Sequence, residues 1–354
     1  MSPLTRYGAT VTEVGELLDS WGEPGYRAQQ VWDGLYRQRR PLESLTALPA
    51  ALRARLADAL PVELEPMVEA TSRDGATTKS LWAAGDAQVE TVLMRSATRA
   101  TVCVSSQAGC AMGCTFCATG QAGFERHLSA GEIVEQVARA AHASESRVSN
   151  VVYMGMGEPL ANYDAVWESV ERLHDDFGIS ARHLTVSTVG LPPAMRRLGR
   201  ERLPVTLAVS LHAADDESRS RLVPLNRRHP IAEVLDAAAE VAAAHGRRVT
   251  FEYACIAGVN DAPAQADALA RLLRAFPGPG GAHVNLIPLN PTAGFESSAP
   301  SRADVGAFAR RLRSGGVHAT VRRNRGVDID AACGQLRFRE AVRRDGPTSV
   351  RMSP

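Results

Sequence analysis

Between Thr101 and Ile287 the chain alternates six short strand-like runs with longer helical stretches, and few folds accept that order. The runs are Thr101–Ser105, Asn150–Met154, Leu184–Ser187, Thr206–Ser210, Val249–Cys255 and His283–Ile287. Between most of them lie Ala/Leu/Val-rich segments such as Gly131–Ala141, Ala165–His174 and Ile231–Ala244. The first of these opens on Ser129-Ala-Gly-Glu132, a capping-box pattern. Strand–helix units in series demand a parallel sheet, and right-handed crossovers curl it into a barrel or an open part of one. The expected class is therefore α/β, a partial (β/α)6 barrel. A doubly wound sheet competes, but no Gly-x-Gly-x-x-Gly turn follows an early strand. In a barrel the functional loops sit at the carboxyl ends of the strands.

Just past the first of these strands comes Gly109-Cys-Ala-Met-Gly-Cys-Thr-Phe-Cys-Ala118, a C-x3-C-x2-C run. Three thiolates so close together form a soft ligand set, suited to an iron–sulfur cluster or to zinc. Structural zinc normally takes four ligands, and no fourth Cys or His lies nearby. A cube-shaped four-iron cluster held by Cys110, Cys114 and Cys117 alone keeps one iron free for another molecule. The run resembles the signature of the radical adenosylmethionine (SAM) superfamily, whose members chelate the cofactor's amino and carboxylate groups on the open iron. Three unrelated buried cysteines, or a zinc site, are the alternatives.

Cys103, Cys255 and Cys333 complete the six cysteines. The opening run Met-Ser-Pro-Leu-Thr-Arg-Tyr-Gly has no apolar core of a secretory signal. No apolar stretch approaches the ~20 residues that cross a bilayer. The expectation is a cytoplasmic protein without a membrane partner, whose thiols serve metal and catalysis rather than structural disulfides.

The flanks read differently. Up to about Pro66 the pattern is helical, with Leu52, Leu56 and Leu60 on one face. Trp32 and Tyr36, interleaved with arginine and glutamine, suit either stacking on bases or a small helical core. Thr78–Trp82 and Gln88–Met94 flank a turn at Gly85-Asp86 and read as a β-hairpin. A net charge of +1 argues against binding nucleic acid by bulk charge alone. From Ser301 onward, however, twelve arginines face five acidic residues, which would put a cationic surface beside an RNA backbone or merely solvate a helical face. The expected division is a small helical accessory, RNA-binding domain at 1–70, a hairpin extension at 71–99, a catalytic domain at 100–340 and a basic tail at 341–354.

Other strand ends carry polar groups. Met154-Gly-Met-Gly-Glu-Pro-Leu-Ala-Asn162 follows the second strand, with glycines that admit a ligand to the backbone and a carboxylate at Glu158. Ser187-Thr-Val-Gly190, Ser210-Leu-His212 and Leu289-Asn-Pro291 end the third, fourth and sixth. Their side chains suit ribose hydroxyls, adenine edges or a carboxylate, though each alone is an ordinary turn or cap.

In combination the motifs are more specific. Cys103-Val-Ser-Ser-Gln-Ala-Gly-Cys110, Met-Gly-Met-Gly-Glu-Pro, Ser210-Leu-His-Ala213, Leu286-Ile-Pro-Leu-Asn-Pro291 and Asp328-Ile-Asp-Ala-Ala-Cys-Gly-Gln-Leu336 resemble the RlmN/Cfr family of radical SAM RNA methyltransferases. The match runs from roughly Gln88 to Leu336. It implies a [4Fe-4S] cluster on Cys110, Cys114 and Cys117, and S-adenosylmethionine held by Gly157, Glu158, Ser187, Ser210, Leu211, His212 and Asn290.

The resemblance also implies a reaction. Carbon 2 of adenine is electron-poor and does not attack a methyl electrophile, whereas a carbon radical adds to it. Cys333 would take a methyl group by displacement, lose a hydrogen to a deoxyadenosyl radical and add to the base through its methylene carbon. Cys103 would help remove the ring proton and release the product by closing a disulfide with Cys333, with Glu90 as proton acceptor. Substrates would be large-subunit (23S) ribosomal RNA and transfer RNA, with a flavodoxin- or ferredoxin-type reductant and a monomeric enzyme. Carbon 8 methylation of the Cfr type and a non-catalytic, metal-stabilised RNA-binding module are the competing functions. Cys255 reads as a buried strand residue.

Overall fold

The computed structural model describes residues 4–292, 294–322 and 325–336. Its strands are β1 (Glu65–Thr71), β2 (Thr77–Ala84), β3 (Ala87–Ser96), β4 (Arg99–Cys103), β5 (Gln107–Gly109), β6 (Phe124–His127), β7 (Val148–Tyr153), β8 (Leu184–Thr188), β9 (Thr206–Ser210), β10 (Thr250–Cys255), β11 (His283–Pro288) and β12 (His318–Val321). Ten of them form one sheet in the order β1-β2-β3-β4-β7-β8-β9-β10-β11-β12. From β4 onward every pair is parallel. Helices Ala130–His142, Tyr163–Asp175, Pro192–Leu198, Ile231–His245, Pro263–Leu273 and Arg302–Ser314 lie between successive parallel strands. This is the partial barrel the alternation predicts, carried one strand further by β12.

The barrel is held by strand and helix residues that meet in one core. Val102, Val151, Val186, Leu207, Phe251 and Val284 from the strands pack with Val137, Val170, Val234 and Leu269 from the helices. Each such side chain contributes about 1.5–3 kcal/mol on burial. The helix after β6 begins with the expected capping box, Ser129 Oγ accepting from Glu132 N and Glu132 Oε2 accepting from Ser129 N.

At the β4 edge the sheet continues antiparallel through β3, β2 and β1. The hairpin read from sequence is β2–β3, turning at Gly85-Asp86. Strand β1 lies in a segment read as the end of a helical zone. It contains Pro66 and is largely exposed, so neither apolar alternation nor a turn signal marks it.

The N-terminal helices Val11–Ser20, Tyr26–Trp32 and Ala50–Ala59 share the barrel's hydrophobic core. Trp32 stacks on Tyr36 at 4.3 Å between centroids, and Tyr36 meets Phe177 edge-on at 5.5 Å. Trp32 Nε1 donates to Asp176 Oδ1 at 2.8 Å. Those two aromatics are therefore core residues, and base stacking falls to neither. The Arg172 guanidinium donates to the carbonyls of Tyr7, Gly8 and Ala9, fastening the segment to the helix after β7.

Residues 325–336 bridge the two sides of the open barrel across its mouth. On the extension side, Arg325 Nη1 donates to Arg95 O and Arg73 N to Asp328 Oδ2, both at 2.9 Å. On the far side, Asn290 Nδ2 donates to Cys333 O at 2.9 Å and Gln335 Nε2 to Pro291 O at 3.1 Å. The basic tail at 341–354, with Arg323, Arg337 and Arg339, lies outside the described residues.

Candidate active site

The cysteine loop hangs between β5 and β6, a small antiparallel pair. Gly109 sits at φ +72°, where a Cβ would stand 2.1 Å from the Gly123 carbonyl, so only glycine closes the base of the loop. Thr115 N donates to Leu222 O at 3.0 Å and Ala118 N to Gly334 O at 2.8 Å. These bonds tie the loop to the barrel wall and to the Cys333 segment.

Cys110, Cys114 and Cys117 line one cavity at the carboxyl ends of the strands. Burial pushes the Cys110 thiol up to about 12 and raises Cys114 and Cys117 as well, with the neighbouring thiols adding to the shift at Cys114. Such thiols ionise as a metal displaces the proton. Among the described residues no group of three or more His, Cys, Asp or Glu side chains closes on one ion. Three thiols around the rim of a cavity instead suit a polynuclear cluster, in which the thiolates would be shared out one to an iron with one iron left open. The donor set fits iron and sulfide.

Gly157, Glu158, Ser187, Ser210, His212 and Asn290 line the same cavity. Gly157 has φ +104°, and a Cβ there would meet Gln107 Cβ at 2.7 Å. Glu158 braces two strand ends, with Oε1 accepting from Leu160 N at 3.0 Å and Oε2 from Val189 N at 2.9 Å. Burial lifts its pKa to about 7. An ammonium group brought alongside would favour its ionised form, and a carboxylate keeps lone pairs beyond those two bonds. Glu158→Gln is expected to weaken adenosylmethionine binding by about tenfold or more, and to cost about 1–3 kcal/mol by setting an amide NH2 against a backbone donor. Calorimetric titration and thermal melting separate the two effects.

His212 adopts φ +61° and its Nδ1 accepts from Ala254 N at 3.0 Å. Burial, reinforced by Arg219, depresses its pKa to about 3, so the ring is neutral and carries its hydrogen on Nε2. Its edge-on contact with Phe116, at 4.8 Å, places that fixed donor beside the cysteine loop. Leu211, by contrast, is fully buried in the main core and does not line the cavity.

The cavity also contains groups the sequence reading did not assign to the site. Glu252 sits in the middle of β10 between Phe251 and Tyr253, with Asn285 Nδ2 donating to its Oε2 at 2.8 Å. Burial raises its pKa. A lone carboxylate inside an apolar strand was the available signal. Arg322 follows β12, where Cys333 and Glu252 hold its charge firmly in place.

A second cavity of about 320 Å³ adjoins the first, within the size range of small-ligand pockets. Cys333, Met154, Ile287 and Arg322 line both, while Cys103, Val92 and Met94 line only the second. Glu90 does not line this cavity, but strand register sets it near Cys103. Val92 pairs with Cys103 across β3 and β4, and Glu90 lies two residues from Val92 on the same face. Diagonal neighbours of this kind stand about 7–8 Å apart. Glu90 is 2% exposed, its carbonyl accepting from Ser105 Oγ at 2.6 Å. Burial and the nearby Cys333 push the Cys103 thiol up to about 12, while Arg322 opposes the shift. Cys103 and Cys333 are both free thiols. Cys255 is buried in β10, away from both cavities.

An open barrel that gathers three thiols, a glycine-rich turn and a buried carboxylate at the carboxyl ends of its strands defines a radical SAM enzyme. Residues 104–270 match the radical SAM superfamily, which implies S-adenosylmethionine and a four-iron cluster as cofactors. A crystal structure of a radical SAM methyltransferase from Sphaerobacter thermophilus superposes with a TM-score of 0.89 at 49% identity, covering 95% of this chain and 99% of that one. Two proteins named probable dual-specificity RNA methyltransferase RlmN are similar over nearly the whole length. The one from Frankia alni is 54% identical over 91% of this chain and 80% of its own. That from Chloroflexus aurantiacus is 50% identical over 95% and 93%. The chain belongs to the RlmN family of radical SAM RNA methyltransferases. Among the described residues no helix is long and apolar enough to cross a membrane.

Proposed function

We propose that this enzyme methylates carbon 2 of an adenosine in large-subunit ribosomal RNA and in transfer RNA, with Cys333 as the methyl carrier. The observation that carries the reading is Cys333 on the wall shared by two cavities, one rimmed by the cluster thiols and the other by Cys103. In this reading Cys110, Cys114 and Cys117 hold the cluster, and Gly157, Glu158, Ser187, Ser210, His212 and Asn290 hold adenosylmethionine. Leu211 acts through its backbone. Adenosylmethionine supplies Cys333 with a methyl group and, on the cluster, the radical that activates that group.

The chain's own residues do the rest. Cys333 sulfur presents the activated carbon to a base in the second cavity, between Met154, Val92 and Met94. The Glu90 carboxylate receives the proton that leaves the ring. The adduct gives up its unpaired electron to the electron-transfer partner. Cys103, losing its thiol proton, then bonds through sulfur to Cys333 sulfur, and the sulfur–carbon bond breaks with its electron pair on the methylene carbon. That carbon takes up a proton to leave as the methyl group of the base. Residues 1–70 provide accessory RNA contact, with Tyr26 exposed beneath the Arg27 guanidinium. Membership of the RlmN family favours carbon 2 over carbon 8 and supports an enzyme over a binding module.

Protein isolated without oxygen is expected to carry a methyl group on the peptide containing Cys333. RNA from a strain lacking the enzyme should regain 2-methyladenosine on complementation. A methyl on Cys103 or Cys255 instead, or 8-methyladenosine in the RNA, would overturn the reading.

A further inference from the structure

Lys79 is the only lysine in the chain, and its placement is unusual for an ammonium group. It lies on β2, two residues from the partner of Glu90, so that it faces Glu90 diagonally across the β2–β3 ladder. Its Nζ stands 2.9 Å from Glu90 Oε1, with the two side chains 15% and 3% exposed. The same Nζ donates to the Asp330 carbonyl at 3.2 Å. One cation therefore touches both the carboxylate beside Cys103 and the backbone of the loop that carries Cys333.

Neither contact is incidental to the local backbone. Asp330 adopts φ +52°, ψ +38°, the left-handed conformation that non-glycine residues rarely take. A positively charged donor on its carbonyl is one of the bonds that hold that turn. At Glu90, a carboxylate buried to this depth faces a large desolvation penalty on ionisation, which a hydrogen-bonded cation offsets. Lys79, Val92 and Cys103 stand in one row across β2, β3 and β4, with Glu90 two residues along β3 on the same face. Val92 and Cys103 on that face pack against Ile329, Ala331 and Leu336 of the loop. The antiparallel extension thus builds the second cavity as well as widening the sheet.

We infer that Lys79 is a positioning residue for product release: it keeps Glu90 ionised as proton acceptor and latches the Cys333 loop over the second cavity through Asp330. The inference rests on the methyl-carrier reading above and adds a residue to it. The step it serves is proton transfer from the base to the Glu90 carboxylate, after which the ammonium faces a neutral acid while its bond to Asp330 is unchanged. Methyl loading of Cys333 takes place in the first cavity and does not use Lys79.

The test separates the steps. Lys79→Gln keeps a donor for Asp330 but removes the charge, and Lys79→Met removes both. Iron content, adenosylmethionine cleavage and the methyl on Cys333 should stay near wild-type levels in both variants. Release of methylated RNA, measured with total RNA from a strain lacking the enzyme, should slow by about a hundredfold or more, the usual span of a general-base contribution. A covalent protein–RNA adduct should persist meanwhile, and Lys79→Arg should restore most of the release rate. Combining Lys79→Gln with Glu90→Gln should cost no more than Glu90→Gln alone, since the lysine acts through that carboxylate. Normal release by Lys79→Gln overturns the inference. So does a parallel loss of iron, loading and release, or failure of both variants to fold, because each marks a structural residue. Absence of the methyl on Cys333 in the wild-type protein defeats the underlying reading instead, whatever the lysine variants do.

Discussion

Alanine at Cys110, Cys114 and Cys117 together is expected to remove all cluster iron and, with it, every trace of adenosylmethionine cleavage. The effect should be total rather than graded, because the three thiolates are the soft donors around that part of the first cavity. The barrel should survive the change. The loop is anchored by the Gly109 turn and by backbone bonds from Thr115 and Ala118, none of which uses a sulfur. Some stability should still be lost relative to loaded enzyme, since a site that binds only in the folded state adds its binding energy to folding. The measurements are iron and sulfide per chain after anaerobic reconstitution, cluster absorbance, and deoxyadenosine formed with a strong reductant. Iron at the wild-type level, or residual cleavage, would place the cluster elsewhere.

How much of this was legible in the sequence depends on the range of the interaction that fixes each feature. The parallel strands and helix caps are local, set by periodicities of two and 3.6 residues and by the residues that end them. The cysteine loop is local too, and its C-x3-C-x2-C spacing is read directly from the sequence. Strand β1 is local but exposed and broken by Pro66, and its sequence carries no burial pattern. Trp32 and Tyr36 could be divided between core and RNA only by seeing Phe177 and Asp176 packed against them, more than a hundred residues on. Glu90 was named by resemblance alone. Its nearness to Cys103 depends on the β3–β4 register, which the hairpin pattern does not specify. Lys79 needed the β2–β3 register that sets it against Glu90 and a loop lying 251 residues away. Glu252 and Arg322 reach the first cavity only because the barrel curls β10 and β12 toward the cysteine loop.

Cys103→Ala should leave loading of Cys333 and addition to the base intact while blocking release, so that enzyme and RNA remain joined by a thioether. In the proposed reaction loading uses the first cavity, which Cys103 does not line. Release requires a second sulfur able to reach Cys333, and bridged cysteines keep their Cα atoms within about 7 Å. In the proposed reaction the other free thiols are the three cluster ligands and Cys255, which is buried in β10. No substitute is at hand. Burial holds Cys103 in its thiol form, so its proton must leave as it attacks, with Arg322 favouring the thiolate. The loss of one sulfur from a packed face beside Val92 should cost about 1 kcal/mol, too little to unfold the barrel. An adduct that survives denaturant should therefore accumulate in Cys103→Ala and be missing when Cys333→Ala is added. Turnover by Cys103→Ala at the wild-type rate, with no trapped species, would return Cys103 to the core and leave release to another group.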